Sequence, residues 1–470
     1  VYRRFHISLL PRIKISKFFR FFTLFFTLTF IIFANSPLAL SAVIAKNTEK
    51  ETLSLDEISK RKIVDWTCQK LKDIYVLPEK AKEMADFIMK QFKAGTYHET
   101  RDLKAFTRML TRDLHSVYPD KHLRIYYDPQ IVDKNNNPIG ETERVARLKR
   151  RWQMNNYGFK KLEHLSGNIG YLKMDGFANS LWARDKAVGV MHFFSSCDAL
   201  IIDLRDNRGG YGSMIKLMLS YFFKDATHLG SRYIRKDNFT QQAWTTVHVD
   251  GSKMLDVDVY VLTSKRTFSA AEAFAFHLKR LNRGTIVGEK TAGGGHTVES
   301  VSNYEFKITA RISDSRACDP TSGRGFEGVG VTPDVKVNRD KAFDKAYILA
   351  LEKISEKTTG GEKHSLEWLI EYHKTRYSPM MIEPSLLKNM AGNYHSLKVI
   401  FKKGRLYVIW PKETAHHLLM AISKDTFIVD GDPGIRLNFI TNLSGDAEVV
   451  TLIYSDGYRD KIRRSNKIKK

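Results

Sequence analysis

At 470 residues the chain exceeds what one core of ordinary size organises, so two or three domains are expected. Its 43% hydrophobic and 27% charged residues exclude long disorder and a polytopic membrane protein. The net charge of +24 gathers at the two ends, with Arg3, Arg4, Arg12, Lys14, Lys17 and Arg20 at one and seven cations within 459–470 at the other; with no zinc-finger spacing or aromatic RNA-binding motif, a nucleic-acid partner is excluded.

The basic stretch ending at Arg20 precedes fourteen apolar residues, Phe21–Ala34, and then the small residues Ala39, Ser41, Ala42 and Ala45. This is the pattern of an export signal over residues 1–45, with cleavage near Ala45 or Ser41 and a periplasmic or secreted product. An uncleaved anchor formed by 21–34 is the alternative, and a basic exported chain can also associate with a membrane or anionic envelope surface. Ser54-Leu-Asp-Glu57 spells a capping box ahead of a helix with Ile58, Ile63, Trp66, Leu71 and Ile74 on its apolar face. A second helix is expected over 79–94, and a third carries Leu103, Phe106, Leu110 and Leu114, giving an N-terminal helical domain over 54–117. Strands at 169–174, 199–204, 257–263 and 285–288 then alternate with helices near 181–194, 213–223 and 270–281, which predicts an α/β layered core over 120–345. A helical connector follows over 346–384. Short glycine-punctuated β runs then predict a small all-β domain over 385–462, and the tail from Arg459 reads as a solvated end. Cys68, Cys197 and Cys318 are too few for a disulfide scaffold and lack metal-ligand spacing, so they read as buried apolar residues or at most one bridge.

Three segments place chemically useful residues at the exits of strands. In Leu262-Thr-Ser-Lys-Arg-Thr-Phe-Ser-Ala-Ala-Glu272, Ser269 sits where a strand gives way to a helix, exposing its hydroxyl beside helix N-terminal amides. The same position suits a plain N-cap. In Leu204-Arg-Asp-Asn-Arg-Gly-Gly210, adjacent glycines let backbone amides approach a ligand, without the spacing of a nucleotide-binding loop. In Asp120-Lys-His122, a histidine precedes an apolar strand, whereas Glu327 taken alone is an ordinary surface carboxylate.

Taken in order, Asp203-Leu-Arg-Asp-Asn-Arg-Gly-Gly210, Thr263-Ser-Lys-Arg-Thr-Phe-Ser-Ala-Ala-Glu272, Val287-Gly-Glu-Lys-Thr-Ala-Gly-Gly-Gly295 and Gly330-Val-Thr-Pro-Asp334 resemble the tail-specific (C-terminal processing) serine peptidase family. Asp120-Lys-His122 is similar to its interphotoreceptor retinoid-binding protein and tricorn-core branch. The resemblance covers about 54–350 and implies a crotonase/ClpP-like α/β peptidase core that hydrolyses peptide or protein substrates without cofactor or metal. It places Ser269 on the nucleophile, His122 on the general base and Glu327 on its acidic partner. The N–H of Ala270, with that of Gly209 or Gly210, falls on the oxyanion hole. The branch with a Ser–Lys dyad carries a lysine about two dozen residues after the serine; here only Lys290 lies near, and His296 is the other rival base. Lys121 stands where tricorn-like enzymes have a serine, and the 122–169 interval is too short for a PDZ insertion. A non-catalytic module for apolar ligands or peptides is the competing reading of the same fold, and a crotonase-type acyl-CoA enzyme conflicts with the export segment.

Overall fold

The computed structural model describes residues 55–318 and 325–465. The signal or anchor expectation for residues 1–45 falls outside these, as does the proposed Ser54 cap. Helix α1 (Glu57–Ile74) is capped instead by Asp56, whose carboxylate accepts from the Ser59 amide at 2.7 Å. Its buried face is Ile63, Val64, Thr67, Cys68 and Leu71, while Ile58, expected on that face, is exposed. Pro78 opens α2 (Pro78–Lys93), and Asp102 caps α3 (Leu103–Val117) with both carboxylate oxygens. These helices pack onto strand residues Ile125, Ile308, Ala310 and Ile312, so one core joins the helical region to a sheet. That sheet contains β1 (Arg124–Tyr127) and several later strands.

A helix that the sequence reading left out, α4 (Glu141–Met154), follows β1 and buries none of its residues. Next come β2 (Phe159–Leu165), β3 (Ile169–Met174), α5 (Ser180–Phe193), β4 (Ala199–Asp203), α6 (Gly212–Leu219) and the hairpin β5 (His228–Ile234)–β6 (Phe239–Trp244). Then β7 (Asp258–Thr263), α7 (Ala270–Arg280), β8 (Thr285–Gly288), β9 (His296–Asn303), β10 (Ile308–Cys318) and β11 (Val335–Lys336) complete the core strands. The central sheet runs β11-β8-β7-β4-β3-β2, parallel throughout except for the antiparallel edge strand β2. A second sheet has the order β1-β10-β5-β6, with β9 also paired to β10. Every residue of β4 is buried because the sheet is covered on both faces. Leu200 and Ile202 meet the layer that holds α5, α6 and α7. Ala199 and Ile201 meet α8 (Ala342–Glu356) and α9 (Gly360–Tyr377). The segment expected as a connector is therefore the second helical layer of the core, and its Ala342, Ala346, Ala350 and Leu351 are fully buried.

After α10 (Pro384–Met390), eight antiparallel strands between Gly392 and Arg463 follow one another in sheet order. An antiparallel bridge from Tyr394 to Arg464 brings the first strand against the last and closes the sheet into a barrel, which removes its free edges. Arg459–Arg463, expected as part of a solvated tail, is the eighth strand, pairing with Val449–Ile453. Its alternating charges face solvent while Ile462 is buried, a pattern too short to separate from a polar end by sequence. Cys68 and Cys197 are buried and free. Among the described residues no helix is long and apolar enough to cross a membrane.

Candidate active site

The parallel strands deliver their C-terminal ends to one edge, where the glycine pair and Ser269 meet. Ser269 is the residue before α7, but it is not an ordinary cap. Its φ of 57° and ψ of −121° lie in a region that L residues avoid, whereas caps are extended. The strain is held by Glu272, one turn on and fully buried. Glu272 Oε2 accepts from the Ser269 amide at 2.9 Å and the Gly294 amide at 2.7 Å, and Oε1 accepts from Thr291 Oγ1 and the Gly293 amide, each at 2.6 Å. One carboxylate thus ties the nucleophile's backbone to the glycine loop 293–295. Replacing Glu272 with Ala leaves at least two of these buried donors unpaired. The expected loss is roughly 3–5 kcal/mol of stability, readable as a lowered denaturation midpoint.

Gly209 and Gly210 have φ of 98° and 141°. A Cβ at Gly209 would lie 2.8 Å from that of Ser269, and one at Gly210 would lie 2.0 Å from the Phe177 carbonyl oxygen, so both positions require glycine. The two amides differ. Gly209 N–H donates to Asn207 Oδ1 at 2.8 Å, which engages it within its own turn. Among the described residues, Gly210 N–H and Ala270 N–H have no such partner, and these two are the donors free to meet an oxyanion.

His122 packs its ring on Phe268, the residue before Ser269, at 4.5 Å between centroids. Burial lowers its pKa to about 4, against the opposing charge of Asp120, so the imidazole is neutral at neutral pH. Its Nδ1 is buried without a partner. Glu327 does not supply one: its Oε2 accepts from the amides of Gly295 and His296, and the nearest ring nitrogen is His296 Nδ1 at 3.9 Å. Burial raises the Glu327 pKa, opposed by His296. The carboxylate closest to His122 in role is Asp120, which the sequence reading passed over. Its Oδ1 accepts from the His122 amide at 2.8 Å, and its Oδ2 accepts from Tyr75 Oη and faces His296 Nδ1, both at 2.9 Å. Burial alone would raise the Asp120 pKa, but the hydrogen bond and charge of His296 hold it well below the usual carboxylate range. Asp120, His296 and Glu327 offer ligand atoms within 4.8 Å of one another, as a metal would need. The carboxylate oxygens that face His296 already accept protein N–H and O–H donors, so the cluster is a satisfied hydrogen-bond network as it stands.

Lys121 Nζ reaches the Ala292 carbonyl, which pins the histidine segment to the glycine loop. Lys290 is exposed beyond the end of β8. The structure therefore brings Ser269, Ala270, Gly209, Gly210 and His122 together through direct contacts of their neighbours. It sets His296 and Glu327 behind Asp120 and leaves Lys290 at the surface. Of the residues missed, Glu272 had a sequence mark, since Ser269-Ala-Ala-Glu272 is spelled as a capping box.

The fold and site define a class: a parallel α/β core that presents a serine hydroxyl and free backbone donors at the C-terminal edge of its sheet. Residues 168–337 match the sequence profile of peptidase family S41, and this segment belongs to that family. The chain is 24% identical over 195 residues to a probable CtpA-like serine protease of Staphylococcus saprophyticus, a match covering 40% of this chain and 37% of that protein. A protein of the same description from Staphylococcus aureus is 23% identical over 203 residues, covering 43% and 39%. The match thus spans under two-fifths of the length of these curated relatives. Among solved structures, the photosystem II D1 C-terminal processing protease is similar at 16% identity and a TM-score of 0.39, over 60% of this chain and 94% of that one. The tricorn protease is similar at 14% identity and a TM-score of 0.44, over 63% and 37%. These likenesses give the family and not a branch within it.

Proposed function

We propose that this chain is an exported serine peptidase of the histidine-using kind, hydrolysing peptide bonds in peptide or protein substrates. The observation that carries the reading is the strained backbone of Ser269, held by Glu272 between the free amides of Gly210 and Ala270. Strain of this kind is retained where the surroundings over-determine it, which is characteristic of functional positions. In the reaction, Ser269 Oγ attacks the scissile carbonyl carbon as its proton passes to His122. The oxyanion rests on the two amides, and the leaving amine takes the proton back from His122 as the C–N bond breaks. Water, deprotonated by the same imidazole, then hydrolyses the acyl-enzyme. A fluorophosphonate should label the native full chain at a single peptide containing Ser269. A folded chain that stays unlabelled would favour a non-catalytic binding module on this fold.

Export is proposed from the N-terminal sequence: a basic stretch, fourteen apolar residues and small residues after them. Amino-terminal sequencing of protein made in its native host should find a start near Lys46 outside the cytoplasm. A cytoplasmic product that retains residues 1–45 would refute it.

A further inference from the structure

Beside the glycine pair lies a cavity of about 360 Å³ that no part of the proposed chemistry uses. One wall is the otherwise unburied helix α4, which contributes Leu148, Arg151 and Trp152. The opposite side is Lys160 with Asp175 and Gly176, the turn that leaves β3. That turn runs alongside the glycine pair: Phe177 N–H donates to the Gly209 carbonyl at 2.9 Å, and Phe177 and Gly210 form a parallel bridge. Bridged segments stand about 4.8 Å apart, so the cavity begins one strand spacing from the candidate oxyanion donors. A Cβ placed on Gly176 would lie 2.9 Å from the Trp152 ring and 3.4 Å from the Gly209 oxygen, which shows that Gly176 separates the cavity from the donors by a single backbone.

We infer that this cavity receives the side chain of the residue whose carbonyl is cleaved, and that it selects a large apolar side chain. The inference rests on the peptidase reading. A carbonyl oxygen seated on the Gly210 and Ala270 amides fixes its own residue there, and that residue's side chain must enter a space adjoining the donors. The walls choose its chemistry. Leu148 and Trp152 lie one helical turn apart on one face of α4 and present apolar surface. Tyr211, which directly follows Gly210, continues that surface, with ring centroids 6.3 Å from Trp152 and 5.6 Å from Trp182. The charges oppose a basic side chain: Arg151 and Lys160 outnumber Asp175. The Asp175 carboxylate already faces Lys160, with Oδ2 3.9 Å from its Nζ and Oδ1 sealed from solvent.

The test uses peptidyl phosphonate esters that differ only in the side chain at the phosphonate, namely Leu, Phe, Gly, Lys or Glu. It reads the rate of covalent labelling at Ser269 in the full chain, alongside a fluorophosphonate that carries no such side chain. Leu and Phe reagents should react about 10-fold or more faster than the Gly, Lys and Glu ones. That ratio should fall towards unity in Trp152→Ala and in Leu148→Glu, the second a half-exposed position with little packing to lose. Because the readout is a ratio within one protein, a general loss of reactivity cancels. If the fluorophosphonate labels Ser269 but the ratio is flat, favours Lys or Glu, or ignores both substitutions, the inference is overturned while the peptidase reading stands. If the fluorophosphonate fails on the folded native chain, both fall together.

Discussion

Ser269→Ala should abolish peptide hydrolysis, lowering turnover on the order of 10⁴-fold or more, while the fold stays intact. The substitution removes one hydroxyl from a half-buried side chain. Everything that holds the strained turn is backbone or belongs to Glu272, whose Oε2 accepts from the Ser269 amide and not from its hydroxyl. Alanine has the same Cβ as serine, so the contact with Gly209 is unchanged, and the stability cost should stay within about 1 kcal/mol. The residual amides can still polarise a carbonyl, but they cannot form an acyl-enzyme. Steady-state kinetics on a chromogenic peptide, fluorophosphonate labelling and a thermal melt on the same preparation check the three parts. A well-folded Ser269→Ala protein with normal turnover would remove Ser269 from the chemistry altogether.

The strands that carry this site were legible because their burial is local and uniform. Ala199–Asp203 is apolar almost throughout as it is covered on both faces, and the exits after it and after Thr263 are marked by Gly-Gly and by Ser269. What was illegible depends on contacts across the chain. Nothing near Asp120 in sequence indicates that its carboxylate meets His296, 176 residues on. Gly209 and Gly210 are interchangeable on paper, and only the side chain of Asn207, folded back on one of them, leaves the other free. Ser269 could be read as a cap or a nucleophile, and it takes the cap's place in the helix with a backbone that a cap does not have. The hairpin at 228–244 and helix α4 escaped because neither shows the required period. Every residue of Phe239–Trp244 is exposed, and α4 buries none. The connector was misjudged for a related reason, since a helix that covers a sheet and one that links two domains share the same amphipathic spacing.

Among the three candidate bases, His122→Ala should be the substitution that eliminates both turnover and Ser269 labelling. General-base catalysis contributes roughly 10²–10⁴-fold, and loss of the base also leaves the hydroxyl unactivated. Lys290→Ala should behave like the native chain, because Lys290 projects into solvent past β8 and an exposed lysine stays protonated at neutral pH. His296→Ala should fall between them. Its Nδ1 anchors Asp120, which in turn holds the His122 amide, so its removal loosens the base without deleting it. The pH profile separates a base from a mere support. Burial has depressed the His122 pKa to about 4, so its active neutral form predominates above that value and is lost as pH falls through it. The profile of kcat/KM should therefore be flat from neutral pH downwards and bend with a midpoint near 4, not near the ordinary histidine value of 6.5. Stability must be followed over the same range, because acid unfolding gives a steeper, cooperative fall that labelling and circular dichroism detect together. If His122→Ala keeps near-normal turnover while Lys290→Ala or His296→Ala abolishes it, the base is the residue whose loss proved fatal.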